Sequence, residues 1–407
     1  MINSLKIHIF FFTIFFSIFY IETISIGGIK IAILWKLVLI GIIILYILNS
    51  KDSFQKKFIF WGYLYSLKNF VNASSFTYFI SALTEVIKSA FIPLLAHFFI
   101  LLQKNKNLNL YKILLTISIY IILSTIPFLL GIIQPLAKGY DLSLFGIEAY
   151  GFVGIFQMAH GAAVTIAFAI IILIYEFERN PSKKFKIIYL FLILLGLWVE
   201  IQTYARTGFA ITFVAGSYLL FINKSIKYYL KISIPLVILC IGAYSYYLSS
   251  KVLQMRIEGT NKYLIQSKTK ADLGSGRFKF QTHAIENWSS SDIDVIFIGL
   301  GIEIAKDMME EDVGLRIYAH NGFIDILQFN GLIGVFIYGM FLLYMIIFIL
   351  SNRSSPYFRL NVALLLAYLV AMFFQGEHFF LADVILALGL ALLVKKDNYE
   401  INKNNEL

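Results

Sequence analysis

The chain has 407 residues, 59% of them hydrophobic and only 14% charged, with a mean hydropathy of +0.79. A soluble domain carries about 25% charged residues, and one of this length would need polar faces on most of its helices, so a soluble globular fold is excluded. The formal charge of +10 is spread over many short segments, which argues against nucleic acid as a partner, and the single cysteine, Cys240, rules out an intramolecular disulfide.

Apolar runs long enough to cross the hydrocarbon core recur from the first residues onward. Residues 1–20 lack a small-residue cleavage site and read as a retained first helix, not a cleaved signal peptide. Spans are expected near 7–24, 28–49, 56–71, 80–103, 110–134, 151–175, 185–202, 206–222, 229–248, 327–350, 358–374 and 379–395, about twelve in all. The third is the weakest: Trp61, Tyr63, Tyr65 and Lys68 make it short or interfacial. The predicted fold is an all-α polytopic membrane protein. A helix bundle of about nine spans covers 1–248, an external loop with short helices covers 249–326, three further spans cover 327–395, and a tail covers 396–407. There is no internal repeat and no pair of broken helices in matching halves, which argues against a secondary transporter.

Orientation follows from Lys and Arg. The loops at 51–57, 104–112, 178–186, 223–231, 352–359 and 395–403, with Lys6, hold about 19 basic residues; the alternate short loops hold Lys30, Lys138 and Arg206. The positive-inside rule then places both termini in the cytoplasm and the loop 249–326 outside. Long loops translocate largely regardless of charge, so the basic residues of that loop do not oppose this. Residues 277–288 read as an amphipathic helix lying against the membrane face, with Phe278, Ala284, Ile285 and Trp288 on its buried side and a turn at Gly274, Ser275 and Gly276 before it.

Few side chains in this chain can carry chemistry. Arg206 stands at the outer end of a span, where it either snorkels to headgroups or offers its planar fork to two phosphate oxygens. His320 and Asn321 precede a full span; Asn321 suits an N-cap, and a histidine there suits proton transfer near neutral pH or is incidental to the cap. Arg277, after a glycine turn, is a solvated loop arginine or an anion ligand. Gln157 and His160 fall in the outer half of a span, where polar groups usually pair across helices. Glu377 and His378 lie in a short outer turn and are placed to border the same site. Glu85 and Lys88, three apart, are expected to pair. No His or Cys cluster has metal-ligand spacing, the acidic run 307–314 reads as solvated, and no glycine loop for a nucleotide is visible, so neither a metal nor a cofactor is expected.

An ordered set of segments carries a resemblance. ARTG (205–208) opens a span. SGR (275–277) follows, with Trp288 shortly after, then GLG (299–301) and HNGFIDILQFNGLIG (320–334), while GFVGIFQMAHG (151–161) lies upstream. This set resembles the O-antigen ligase and O-antigen polymerase superfamily of bacterial inner membranes over most of residues 150–350. The resemblance implies a C-type glycosyltransferase-like enzyme on the outer face of the cytoplasmic membrane that uses glycans carried on undecaprenyl diphosphate. It gives Arg206 a diphosphate-binding role, Arg277 a similar or acceptor-positioning one, with Asn321 beside them, and His320 activation of the acceptor hydroxyl. The chain has ARTG where many relatives have Ser-Arg, and Gly322 after His-Asn. The expected function is a glycan polymerase joining lipid-linked repeat units. The alternatives are a ligase passing the glycan to lipid A core or protein, and a lipid-linked glycan flippase. Expected partners are the undecaprenyl-diphosphate-linked glycan, the lipid bilayer, and other assembly proteins such as a flippase or chain-length regulator.

Overall fold

The computed structural model describes residues 25–26, 29–50, 56–71, 76–105, 109–135, 139, 150–156, 158–222, 277–376 and 379–394, with scattered positions between 237 and 254. Apart from a two-residue antiparallel pair, β1 (Ser25–Ile26) with β2 (Ile29–Lys30), regular structure among the described residues is helical. In chain order come α1 (Ile31–Leu48), α2 (Lys57–Lys68), α3 (Phe76–Asn105), α4 (Leu110–Leu123), α5 (Ile126–Leu129), α6 (Ala159–Arg179), α7 (Lys183–Thr203) and α8 (Arg206–Phe221). After the loop come α9 (Arg277–Ser289), α10 (Ile293–Ile298), α11 (Ile302–Val313), α12 (Gly322–Ser351), α13 (Phe358–Phe374) and α14 (Phe380–Leu392).

Among the described residues, five helical stretches are long and apolar enough to cross a membrane: Ala82–Lys104, Leu110–Leu129, Ala159–Arg179, Lys183–Thr203 and Gly322–Ser351. Leu37–Leu48, Arg206–Phe221, Phe358–Phe374 and Phe380–Leu392 are apolar but shorter. The expected span at 7–24 lies outside the described residues, and that at 229–248 largely so. At 56–71 the helix is only 12 residues long, which at 1.5 Å per residue falls well short of a crossing.

Helix α6 is the axis of the bundle. Its residues from Ala162 to Leu173 are buried on every side, the pattern of a helix enclosed by other helices. Helices α4, α7 and α8 pack around it, α13 packs on α8, and α14 packs on α3. Small residues set the close approaches. A Cβ at Gly208 would stand 2.9 Å from that of Ala163, and one at Gly62 would stand 2.7 Å from Pro93, so α8 meets α6 and α2 meets α3 nearly backbone to backbone. The outer side of α7 exposes Ile187, Phe191 and Trp198, as a lipid-facing helix does.

Two expected boundaries are corrected. The span expected at 151–175 starts helically only at Ala159. Residues 151–156 are a loop held by Phe152 N–H donating to the Gln202 carbonyl (2.7 Å), with Gly154 at φ 60°. The span expected at 110–134 breaks at 124–125, and its helical part ends at Leu129, where Pro127 opens a separate turn, α5. By contrast α13 occupies the expected 358–374.

The amphipathic helix expected at 277–288 is present as α9, but its buried face differs. Phe278 is 65% exposed and Ile285 42%, while Ala284 is fully buried with Phe280 packed beside it. These two join Met309 and Val313 of α11, Ala319 and Ile324 in a small core that ties the loop to the head of α12. The acidic run on α11 is half solvated as expected and is anchored by Arg316, whose guanidinium meets Glu303 Oε2 (2.5 Å) and Asp307 Oδ1 (2.8 Å).

Candidate functional site

A cavity of about 440 Å³ opens where the N-terminal ends of α6 and α12, the C-terminal end of α13 and the loop core meet. His160, His320 and Gln375 form one wall; Glu85, Lys88 and Glu303 contribute charge to another. Tyr65, Tyr318 and Phe329 supply aromatic surface.

His320 owes its position to a local clamp. The Asn321 side-chain oxygen accepts from Phe323 N–H (3.1 Å) and Ile324 N–H (3.4 Å), the N-cap the sequence anticipates. From one turn on, Asp325 reaches back and accepts from Ala319 N–H (2.9 Å). Held on both sides, His320 adopts a left-handed backbone, φ 57°, which only Tyr204 shares among the described non-glycine residues. Such a conformation costs roughly 1–3 kcal/mol and persists only where its surroundings impose it. The imidazole lies beside the Phe280 ring, centroids 6.3 Å apart. Burial, and then the nearby Arg277 guanidinium, push its pKa down to about 4. The ring is therefore neutral near pH 7, the protonation state that a proton acceptor needs.

Arg277 opens α9 and donates from Nη1 to the Phe374 carbonyl at the end of α13 (2.6 Å), fastening the loop to the bundle. This carbonyl belongs to the last turn of a helix, where a cation is favoured. Arg206 follows a tight turn: Tyr204 is left-handed, φ 54°, and Ala205 N–H donates to Thr203 Oγ1 (3.1 Å). Its neighbour Thr207 accepts from Gln375 Nε2 (2.9 Å), and the same amide nitrogen lies 2.5 Å from His160 Nδ1. A polar chain thus runs from the residue after Arg206 through Gln375 to His160. Neither arginine lines the cavity itself; each stands one residue or one contact behind it.

The structure therefore brings His320, Asn321, Arg277 and His160 to one place and puts Arg206 at its margin. Gln157 and His378, with Glu377, lie outside the described residues. The Glu85–Lys88 pair forms as expected, Lys88 Nζ to Glu85 Oε1 at 2.6 Å, but on the cavity wall. Sequence reasoning missed Gln375, whose signal was a lone amide ending an apolar helix, and Asp325, a carboxylate in the first turn after an N-cap. It also gave no role to Glu303. Protein-family models give no match to the chain, and no curated protein is detectably similar to it.

Proposed function

We propose that the chain is a glycan polymerase of the outer face of the bacterial cytoplasmic membrane, joining repeat units carried on undecaprenyl diphosphate. The observation that carries this reading is a half-buried histidine beside an arginine at the rim of a cavity at one end of a helix bundle. In the proposed step the acceptor hydroxyl oxygen attacks the anomeric carbon of the donor glycan. The bond from that carbon to the diphosphate oxygen breaks, His320 takes the hydroxyl proton, and undecaprenyl diphosphate leaves. Negative charge grows on the departing oxygens, where Arg277 and Arg206 would stabilise it; one such donor is typically worth about 2.7–4 kcal/mol. The step consumes no nucleotide and involves the chain's own residues throughout.

The proposed topology has about twelve spans, both termini in the cytoplasm and the cavity outside. In its support, residues of three basic loops meet at the far end of α6, where Tyr111, Arg179 and Tyr357 pack together. The test is glycan laddering on gels from a deletion strain complemented with wild type, His320→Ala or Arg206→Ala. Loss of long chains with a single capped repeat retained supports a polymerase. Loss of all surface glycan with lipid-linked polymer accumulating indicates a ligase. Normal ladders from both variants sink the enzymatic reading.

A further inference from the structure

Helix α12 is broken. Gly331 has φ 62° and ψ −167°, a backbone that essentially only glycine adopts, about 13 Å along the helix from its start. A break frees carbonyls that would otherwise bond one turn ahead. Two of those, on Gln328 and Phe329, accept from Leu300 N–H (2.9 Å) and Gly301 N–H (3.0 Å). The GLG segment thus docks into the gap. The fit depends on bare backbone, because a Cβ at Gly331 would stand 2.5 Å from the Phe297 carbonyl carbon and 2.6 Å from Gly299 N.

The short helix before this dock, α10, ends with three of its last four carbonyls paired within the protein. Of its last four carbonyls, that of Val295 accepts from Gly299 N–H (2.7 Å), that of Ile296 from the Trp288 indole Nε1–H (3.1 Å) and that of Ile298 from Lys68 Nζ (2.8 Å). Lys68 is itself buried. A helix end in water leaves such carbonyls to solvent, whereas in hydrocarbon an unpaired one is costly and pairing within the protein is favoured. The opposite character holds on the outer side of the same helix, where Ile293 is 75% exposed and Phe297 48%. Helix α10 lies on α12 at Gly331, and α12 exposes apolar residues from the next position on: Leu332, Ile333 and Phe336. The acidic Asp292 and Asp294 stand at the other end of α10, at its start.

We propose that α10 is a re-entrant helix: it enters the outer leaflet from the external loop with its aspartates at headgroup level and its C-terminus deeper, so that Ile293 and Phe297 lie among bilayer acyl chains. The covering partner is phospholipid, because the exposed apolar face continues that of a membrane-crossing helix. The helix returns through the GLG dock, whose irregular backbone is buried against α12, the condition under which non-helical chain is tolerated at membrane depth. The inference does not depend on the glycan reading.

The test places single cysteines at Ile293, Phe297 and the exposed Ser290 in a Cys240→Ser background. Each is spin-labelled in liposomes of phosphatidylethanolamine and phosphatidylglycerol, and collisions with oxygen and with a water-soluble nickel chelate are compared. Oxygen preference greatest at 297, intermediate at 293, and nickel preference at 290 is the expected result. Nickel access at 297 equal to that at 290 overturns the proposal. Poor access of both reagents at 293 and 297 overturns it too, in favour of a protein partner. Should a variant misfold, the wild-type chain in liposomes carrying an acyl-chain diazirine lipid gives an independent reading. Adducts within 293–298 and none within 302–313 support the proposal; no adduct within 293–298 overturns it.

Discussion

The two ends of the bundle are organised in opposite ways. At the far end of α6 the charges are paired. Arg179 lies over the Tyr111 ring at 4.7 Å, the Tyr111 hydroxyl donates to Glu176, and Asn180 adds a second donor to that carboxylate (2.9 Å). Arg359 meets Glu178 at 3.3 Å and also donates to the Leu219 carbonyl, while Tyr175 donates to the Pro356 carbonyl (2.6 Å). At the near end, about 30 Å away along the helix, His160, His320 and Gln375 surround open volume. One end locks loops together with strong paired charges. The other holds two imidazoles and an amide around open volume, as a ligand site does.

Substitutions can break this contrast. The largest effect is expected from His320→Ala: a loss of about 10²–10⁴-fold in glycan transfer, read from ladder intensity against protein level, with little change in thermal stability. Arg277→Ala should cost about 10²–10³-fold. Arg277→Lys restores the charge without the fork, so full activity in that variant would argue against two-point binding of a diphosphate. At the closed end, Arg359→Met should lower stability by about 1.5–3 kcal/mol, measured by thermal unfolding in detergent, while leaving transfer per folded molecule unchanged. If it abolishes transfer in fully folded protein, the division of labour between the ends fails. Gly331→Ala should destabilise by about 1–3 kcal/mol, because the added Cβ meets the Phe297 backbone.

A further effect, on stability alone, is with pH. Burial lowers the His320 pKa from 6.5 to about 4, so the unfolded chain binds more protons between those values. The stability contributed by the neutral ring is whole above about 6.5 and is lost as pH falls toward about 4. A His320→Gln variant should lose less stability than wild type across that window, as followed by unfolding at stepped pH. Equal losses in both proteins would remove His320 as the source.

Much of this was legible in the residues themselves. A continuous apolar run placed α13, and the Asn321 cap announced where α12 begins, because run length and capping are both local properties of the chain. The buried face of α9 was not legible. Phe278 and Ile285 lie on one side and Phe280 and Ala284 on another, and an apolar residue on each face gives the sequence no way to choose. What chooses is the small core with Met309 and Ala319. The loop at 151–156 was read as span because its apolar content masks Gly151 and Gly154, and the Gln202 carbonyl that secures it comes from another helix. Gln375 was invisible for a similar reason: its partners, His160 and Thr207, stand 215 and 168 residues away in the chain.

The dock of residues 299–301 on the broken helix also bears on how the chain is made. Synthesis runs from the N-terminus, so the donors at Leu300 and Gly301 emerge before the acceptors at Gln328 and Phe329. The freed carbonyls of α12 therefore meet partners 28 residues back in the chain, a smaller closure cost than a contact between distant segments carries. The Lys68 bond to Ile298 spans 230 residues and waits until α2 has packed against α12. Chain distance thus favours closing the nearer clasp before the distant lysine secures it.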